Sequence, residues 1–167
     1  MYYGVFKYKA PEDGLEALRQ VKVRHKDLTV TLFGHTDAQR HKIPSWVLTQ
    51  PHVSESQLVQ IYNRSRIFLC SSLGEGFALP PAEAMACGCA VASTDCGGIR
   101  DFAEHEITAL LSPPGVPDAL ASNISRLLED DSLWQRLAVA GHERIQNFTW
   151  ERSTDRLEQF IRQQVSK

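Results

Sequence analysis

Apolar and polar positions alternate along Leu28-Thr29-Val30-Thr31-Leu32-Phe33, a β-branched run that ends at Gly34 and predicts a strand. The opening Tyr2-Tyr3-Gly4-Val5-Phe6-Lys7-Tyr8 predicts another, and Val47-Leu48-Thr49-Gln50 a weaker one. Arg66-Ile67-Phe68-Leu69-Cys70-Ser71-Ser72 is continuously apolar at its centre and reads as a buried strand; Ala90-Val91-Ala92-Ser93-Thr94 reads as a short one. Between these runs the apolar spacing lengthens to that of a helix. Leu15, Leu18 and Val21 or Val23 mark one over Asp13 to Lys26. Leu58, Ile61 and Tyr62 mark a second, capped by Ser54. A third is predicted over 81–87, starting at Pro81 because proline suits a first helical position. Ala109-Leu110-Leu111 precedes the break Ser112-Pro113-Pro114-Gly115. The last third is helical: Leu120, Ile124, Leu127 and Leu128 on one face, then Leu133, Leu137 and Ile145, then a helix from near Thr149 with Leu157, Phe160 and Ile161. Strands alternating with helices predict an α/β fold, a Rossmann-like parallel sheet with helices on both faces, as a single domain over residues 1–167. Ligands then belong at the carboxyl ends of the strands, where the loops at 72–80 and 95–98 should meet.

Composition narrows the class without naming a function. A chain of 167 residues fits one domain whose core buries roughly 70% of the unfolded surface. Its 43% apolar and 23% charged residues are those of an ordinary globule. A net charge of −2 argues against nucleic acid as a partner. The basic run Arg19 to Lys26 closes a predicted helix, where cations complement the dipole. No apolar stretch approaches the ~18 residues of a membrane span and no signal peptide opens the chain, so a cytoplasmic protein is expected. Cys70, Cys87, Cys89 and Cys96 are expected as reduced thiols rather than metal ligands, because Cys87-Gly88-Cys89 has no second paired cluster.

The chemistry concentrates in Glu75-Gly76-Phe77-Ala78-Leu79-Pro80-Pro81-Ala82-Glu83. Two carboxylates flank a loop that runs from a strand into a helix, with Glu83 expected in the first helical turn. The N–H groups of Gly76, Phe77, Ala78 and Leu79 are free to point at a ligand. A carboxylate accepts from paired hydroxyls, while loop amides and a helix start attract phosphate. That combination suits a nucleotide sugar. Each residue also has a plainer reading. Glu83 alone is an ordinary first-turn acid, Phe77 is core packing or site lining, and Gly97-Gly98 is a tight turn. Asp101 is a helix-entry acid or a ligand contact, and His35 and His105 are surface histidines.

This segment resembles the donor-binding motif of the group 1 (family 4) retaining glycosyltransferases of the GT-B fold. The family pattern Ser-x-x-Glu-Gly-Phe-Gly-Leu-Pro stands here as Ser72 to Pro80, x-x-Glu-Ala-Met-Ala-x-Gly as Glu83-Ala84-Met85-Ala86-Cys87-Gly88, and the later Gly-Gly pair as Gly97-Gly98-Ile99-Arg100-Asp101. The resemblance extends from about Asp27 to the C-terminus. It implies that Glu83 accepts hydrogen bonds from the donor ribose and that Glu75 lies beside the transferred sugar as the catalytic residue. It further implies that Gly76, Phe77, Ala78 and Leu79 contact sugar hydroxyls or the distal phosphate, and that the nucleobase lies near Val53-Ser54. The donor is expected to be a UDP-sugar, with GDP- and dTDP-sugars as alternatives, and neither a cofactor nor a metal is required.

Two departures from the family pattern matter. The family carries Gly-Arg after its first strand and then a lysine, the two cations binding the diphosphate. Here Val5 follows Gly4, and Lys9, or else Lys7, supplies the lysine. The chain also matches only the C-terminal, donor-binding half of a GT-B enzyme. The expected partner is the missing N-terminal acceptor domain, in cis or in trans, with a peripheral place at the inner membrane through that domain. The apolar face of the last helix is expected to be partly unsatisfied, and the isolated chain to transfer no sugar alone. Half of a GT-B sugar-nucleotide epimerase and a non-catalytic binding module are the alternatives. A dinucleotide site fails: Gly74-x-Gly76 is followed by Leu79 where a third glycine belongs, and two prolines remove donors from the helix start.

Overall fold

The computed structural model describes residues 1–3, 6–34 and 43–165; Gly4, Val5 and His35 lie outside them. Among the described residues there are six strands, β1 (Tyr2–Tyr3), β2 (Val30–Gly34), β3 (Val47–Gln50), β4 (Ile67–Cys70), β5 (Ala90–Thr94) and β6 (Leu110–Ser112). Six α-helices accompany them: α1 (Pro11–Arg24), α2 (Glu55–Asn63), α3 (Leu79–Ala86), α4 (Pro117–Glu129), α5 (Asp131–Ile145) and α6 (Trp150–Val165). All pairings are parallel, as the strand–helix alternation predicts. The sheet is divided, however, into a β1-β2-β3 half and a β4-β5-β6 half. β1 pairs with β2 and has no ladder with β4; it covers Tyr2–Tyr3 of the predicted strand over Tyr2 to Tyr8. The end of that predicted strand, Lys7–Lys9, is instead a 3-10 segment closed by Ala10 at φ +40. Aromatic residues favour strands, but here the turn that brings Lys9 beside β4 takes precedence over that propensity.

Both halves lie in one layer between two cores. Leu32, Leu69, Ala90, Ala92 and Leu110 enter one core with Leu15 and Leu18 of α1 and Ile124 and Leu127 of α4. Their strand neighbours Phe33, Phe68, Cys70, Val91 and Ala109 enter the other, with Tyr62 of α2 and Met85 of α3. This is the period-two alternation of a sheet covered on both faces. Each fully buried leucine contributes about 1.5–3 kcal/mol relative to exposure.

Helix boundaries differ from the predicted ones at two places. α1 starts at Pro11 and ends at Arg24, two residues ahead of the predicted span. α3 starts at Leu79 rather than Pro81, with both prolines inside its first turn, where missing N–H groups break no helical bond. Ser54 caps α2 as predicted, in a reciprocal capping box with Gln57. α6 has no buried residue, and Leu157, Phe160 and Ile161 are at least half exposed. Among the described residues no helix is long and apolar enough to cross a membrane.

Candidate functional site

The carboxyl end of β4 runs through the buried Ser71 and Ser72 into the loop that carries Glu75. The Glu75 N–H donates to the Cys96 carbonyl at 2.7 Å, and the Glu75 carbonyl accepts from Gly98 at 3.0 Å. The loops after β4 and β5 therefore meet, as a ligand site at the strand ends requires. Gly97 takes φ +83. Gly98 serves a second need: a Cβ there would lie 2.1 Å from the Gly76 carbonyl oxygen and 2.7 Å from the Phe77 nitrogen. The pair is more than a tight turn, because it lets the two backbones touch. Phe77 anchors the loop through its ring, 5.2 Å from Phe102 and 5.9 Å from Phe148.

Ala78, buried, caps α3 in the left-handed region at φ +66 without a side-chain hydrogen bond. A non-glycine residue there costs about 1–2 kcal/mol. The pattern that this segment resembles has glycine at this position, which suits a left-handed backbone. Among the described residues, no acceptor takes the N–H groups of Gly76, Phe77, Ala78 or Leu79. These four N–H groups precede or open α3, and free N–H groups at a helix start favour anions.

Lys9 reaches Glu75. Its Nζ lies 2.5 Å from Glu75 Oε1, with both side chains nearly buried, at 12% and 11% exposure. Ser72 Oγ donates to the same oxygen at 2.6 Å. The Lys9 ammonium also lies 5.3 Å from the ring centres of Tyr2 and Tyr8. Burial alone would lower its pKa, but the Glu75 carboxylate more than offsets that, and Lys9 is held above the ordinary lysine value. Of the two lysines, Lys9 lies at the Glu75 loop, while Lys7 is exposed.

Glu83 is exposed on α3, and because the helix starts at Leu79 it does not lie in the first turn. Its reading as a first-turn acid complementing the dipole is therefore corrected. Instead its Oε2 accepts from the Tyr62 hydroxyl at 3.0 Å. Tyr62 is buried among Phe33 and Phe68, with ring centres 5.6 and 5.7 Å away. Burial and the neighbouring Glu83 charge push its phenol well above the ordinary tyrosine pKa. A cleft of about 280 Å³ opens between Glu83 and the loop after β3, lined by Gly34, His52, Val53, Leu58 and Tyr62. Tyr2 and Pro80 line this cleft and also the small crevice that holds Lys9 and Glu75, so the two carboxylates face adjoining spaces. Val53 lines the cleft. Ser54 does not: its hydroxyl and its N–H are both taken up by Gln57 in the cap.

Sequence reasoning missed Tyr62 as a polar partner, because its place on the apolar face of α2 accounts for its ring and says nothing of its hydroxyl. It also missed Ser72 as a partner of Glu75 and Tyr2 as a wall of both spaces. Asp95 and Arg100 form a pair at 2.5 and 2.6 Å that holds the Asp95 carboxyl below the ordinary range. Asp101 is the last residue of a 3-10 turn, with its carbonyl accepting from Arg144. His105 Nδ1 accepts from the Leu111 N–H, so it fastens β6 instead of being merely solvated. The neighbouring Cys96 draws the Cys70 thiol down, and Cys70 in turn pushes the Cys96 thiol up, while the Cys70 thiol donates to Ser72 Oγ at 3.6 Å. All four cysteines are unbridged, and among the described residues no cluster of His, Cys, Asp and Glu is placed to hold a metal.

The model of the glycosyl transferases group 1 family matches residues 1–144. The chain belongs to that family. The match begins ahead of Asp27 and stops before α6. O-antigen chain mannosyltransferase B of Escherichia coli is 34% identical over 111 residues, covering 65% of this chain and 28% of that relative. The chain thus spans little more than a quarter of that relative's length. The C-terminal domain of a group 1 family protein (LpcC) from Francisella tularensis superposes with a TM-score of 0.76 at 22% identity, covering 87% of this chain and 83% of that one. Anabaena HepE, solved with UDP-glucose, superposes with a TM-score of 0.78 at 21% identity, covering 99% of this chain and 47% of that one. The Rossmann-like parallel architecture is that of these C-terminal domains.

Proposed function

We propose that residues 1–167 form the donor-binding domain of a glycosyltransferase and hold a nucleotide sugar for transfer to an acceptor sugar, lipid or polysaccharide. One observation carries the reading: an unused row of loop amides stands between Glu75, paired with Lys9, and Glu83, held by Tyr62. In this reading the nucleobase enters the 280 Å³ cleft against Val53. The ribose hydroxyls donate to Glu83, and the diphosphate meets the amides of Gly76, Phe77, Ala78 and Leu79. Glu75 keeps Oε2 for the transferred sugar, because Lys9 and Ser72 both use Oε1. A retaining transfer passes through an oxocarbenium-like transition state with a diphosphate leaving group. It needs an anion near the ring and donors or cations on the phosphates. Glu75 and Lys9 are one such pair, and no metal is called for.

The UDP-glucose complex of Anabaena HepE makes a UDP-sugar the first donor to test, ahead of GDP- and dTDP-sugars. The acceptor domain is a partner in cis or in trans, and through it the chain works in the cytoplasm at the inner membrane. The test is thermal unfolding with UDP, GDP, dTDP and ADP, repeated with Glu83→Ala. A ligand at a hundred times its Kd adds about 2.7 kcal/mol, a rise of about 5–10 °C for a domain of this size. A shift in the wild type that the variant loses supports the reading. An equal shift in both removes Glu83 from the site.

A further inference from the structure

Cys70 ends β4 and Cys96 lies in the loop after β5, and both are buried in the core that holds Tyr62 and Met85, at 8% and 2% exposure. The two strands are neighbours in the sheet, with Cys70 opposite Ser93. Beyond Thr94 the chain turns back. The Asp95 N–H donates to the Ser112 carbonyl of β6 at 2.8 Å, and the Cys96 N–H to the Thr94 carbonyl at 3.0 Å, a three-residue turn. That turn returns Cys96 to the β4 side, where its thiol neighbours that of Cys70. The pair is tied to Glu75 twice. Cys70 Sγ donates to Ser72 Oγ at 3.6 Å, and Ser72 Oγ donates to the carboxylate at 2.6 Å. The Cys96 carbonyl takes the Glu75 N–H at 2.7 Å. The other two thiols have different surroundings: Cys89 donates to the Tyr62 and Ser65 carbonyls, each at 3.2 Å, and Cys87 stands half-buried at the end of α3.

We propose that Cys70 and Cys96 are an oxidation site, a dithiol that a small hydroperoxide converts into a disulfide tying together the roots of the two loops that meet at Glu75. The fit is chemical as well as spatial. Attack needs a thiolate, and a cation beside a thiol favours that form. The Lys9 ammonium lines the same crevice as Cys70, with Ser72 and Glu75. At about 10 Å³ that crevice has room for roughly one water, so the oxidant is a molecule as small as hydrogen peroxide. The Cys70 thiolate attacks one peroxide oxygen and the O–O bond breaks; the leaving hydroxide takes up the proton that Cys70 gave, as water. The Cys96 thiol then attacks the sulfenic sulfur. The S–S bond forms, and the hydroxyl departs with the Cys96 proton as a second water. Two thiols lose two electrons and the peroxide gains them. The bridge closes the chain from Cys70 to Cys96 into a ring, and Cys70 no longer donates to Ser72.

This inference does not rest on the donor reading, since its readouts are thiols and folding. The chain of 167 residues is treated with hydrogen peroxide, the remaining thiols are alkylated, and the peptides are mapped by mass spectrometry. The expected result is a Cys70–Cys96 link that removes two of the four thiols and is reversed by dithiothreitol. With it the thermal midpoint should rise by roughly 5–10 °C, because the bridge restricts the unfolded chain. Cys96→Ser should lose both the link and the rise, while Cys87→Ser should keep them. Oxidation that falls on Cys87, the least buried thiol, or a link that forms only in denaturant would overturn the proposal. So would a bridge that leaves the midpoint unmoved. Should Cys96→Ser not fold, the peptide map of the wild type beside that of Cys87→Ser still decides.

Discussion

Gly98→Ala tests how the site is built. The added methyl meets backbone on every near side: 2.1 Å to the Gly76 oxygen, 2.3 Å to its carbon and 2.7 Å to the Phe77 nitrogen. No rotamer change can relieve a clash with backbone, so the loops after β4 and β5 must part. Parting breaks the Gly98–Glu75 and Glu75–Cys96 hydrogen bonds, about 0.5–1.5 kcal/mol each. Overpacking of this kind adds about 1–3 kcal/mol. The sum is about 2–6 kcal/mol, and at ~3 °C per kcal/mol the midpoint should fall roughly 6–18 °C. Two glycines serve as controls. Gly76→Ala meets no heavy atom within 4 Å and its φ is not positive, so it should stay within about 0.5 kcal/mol of the wild type. Gly97→Ala keeps its space but takes φ +83, a penalty of about 1–2 kcal/mol. Thermal unfolding of the three variants, with nucleotide binding measured alongside, gives the order. A Gly98→Ala protein as stable as Gly76→Ala would refute the close approach.

Tyr62→Phe should weaken nucleotide diphosphate binding about three- to ten-fold without unfolding the domain, since one hydrogen bond to a charged group is worth ~1.5 kcal/mol or less at a solvent edge; calorimetric titration checks it. The same residue sets an alkaline limit. Its phenol is raised when folded, so the unfolded chain loses that proton first, and stability should fall as pH rises past 10, less steeply in Tyr62→Phe, as denaturant midpoints would show. Lys9→Met should lower diphosphate affinity at least ten-fold and monophosphate affinity less, by the same titration; EDTA should change neither. Deleting residues 150–167 should move the thermal midpoint by about 2 °C or less, because α6 buries nothing, whereas Phe148→Ala, at a partly buried ring, should cost about 1–3 kcal/mol.

Much of the fold is legible in the chain. The alternation of Leu28 to Phe33, the Ser54 cap and the apolar faces of α4 and α5 are local signals, and the structure carries each of them. The strand over Tyr2 to Tyr8 failed because a long-range pairing, Lys9 with Glu75 and Tyr8 O with Leu73 N, bends a segment whose residues favour a strand. The site was legible as a motif and illegible as a geometry. Glu75, Glu83 and the loop amides stand within nine residues of one another. Their partners Lys9, Tyr62 and Gly98 come from three distant places and carry no local signature. Gly98 in particular owes its identity to a backbone more than twenty residues away.

The rings of Phe77, Phe102 and Phe148 form a triangle, and Phe148 stands two residues before α6. One corner is in the donor loop and another is at the root of an exposed amphipathic helix. Whatever grips that helix holds the short end of a lever whose other arm is the loop. Its occupancy would be felt as a tilt of one phenyl ring, transmitted through van der Waals contact, with no charge moved and no hydrogen bond exchanged.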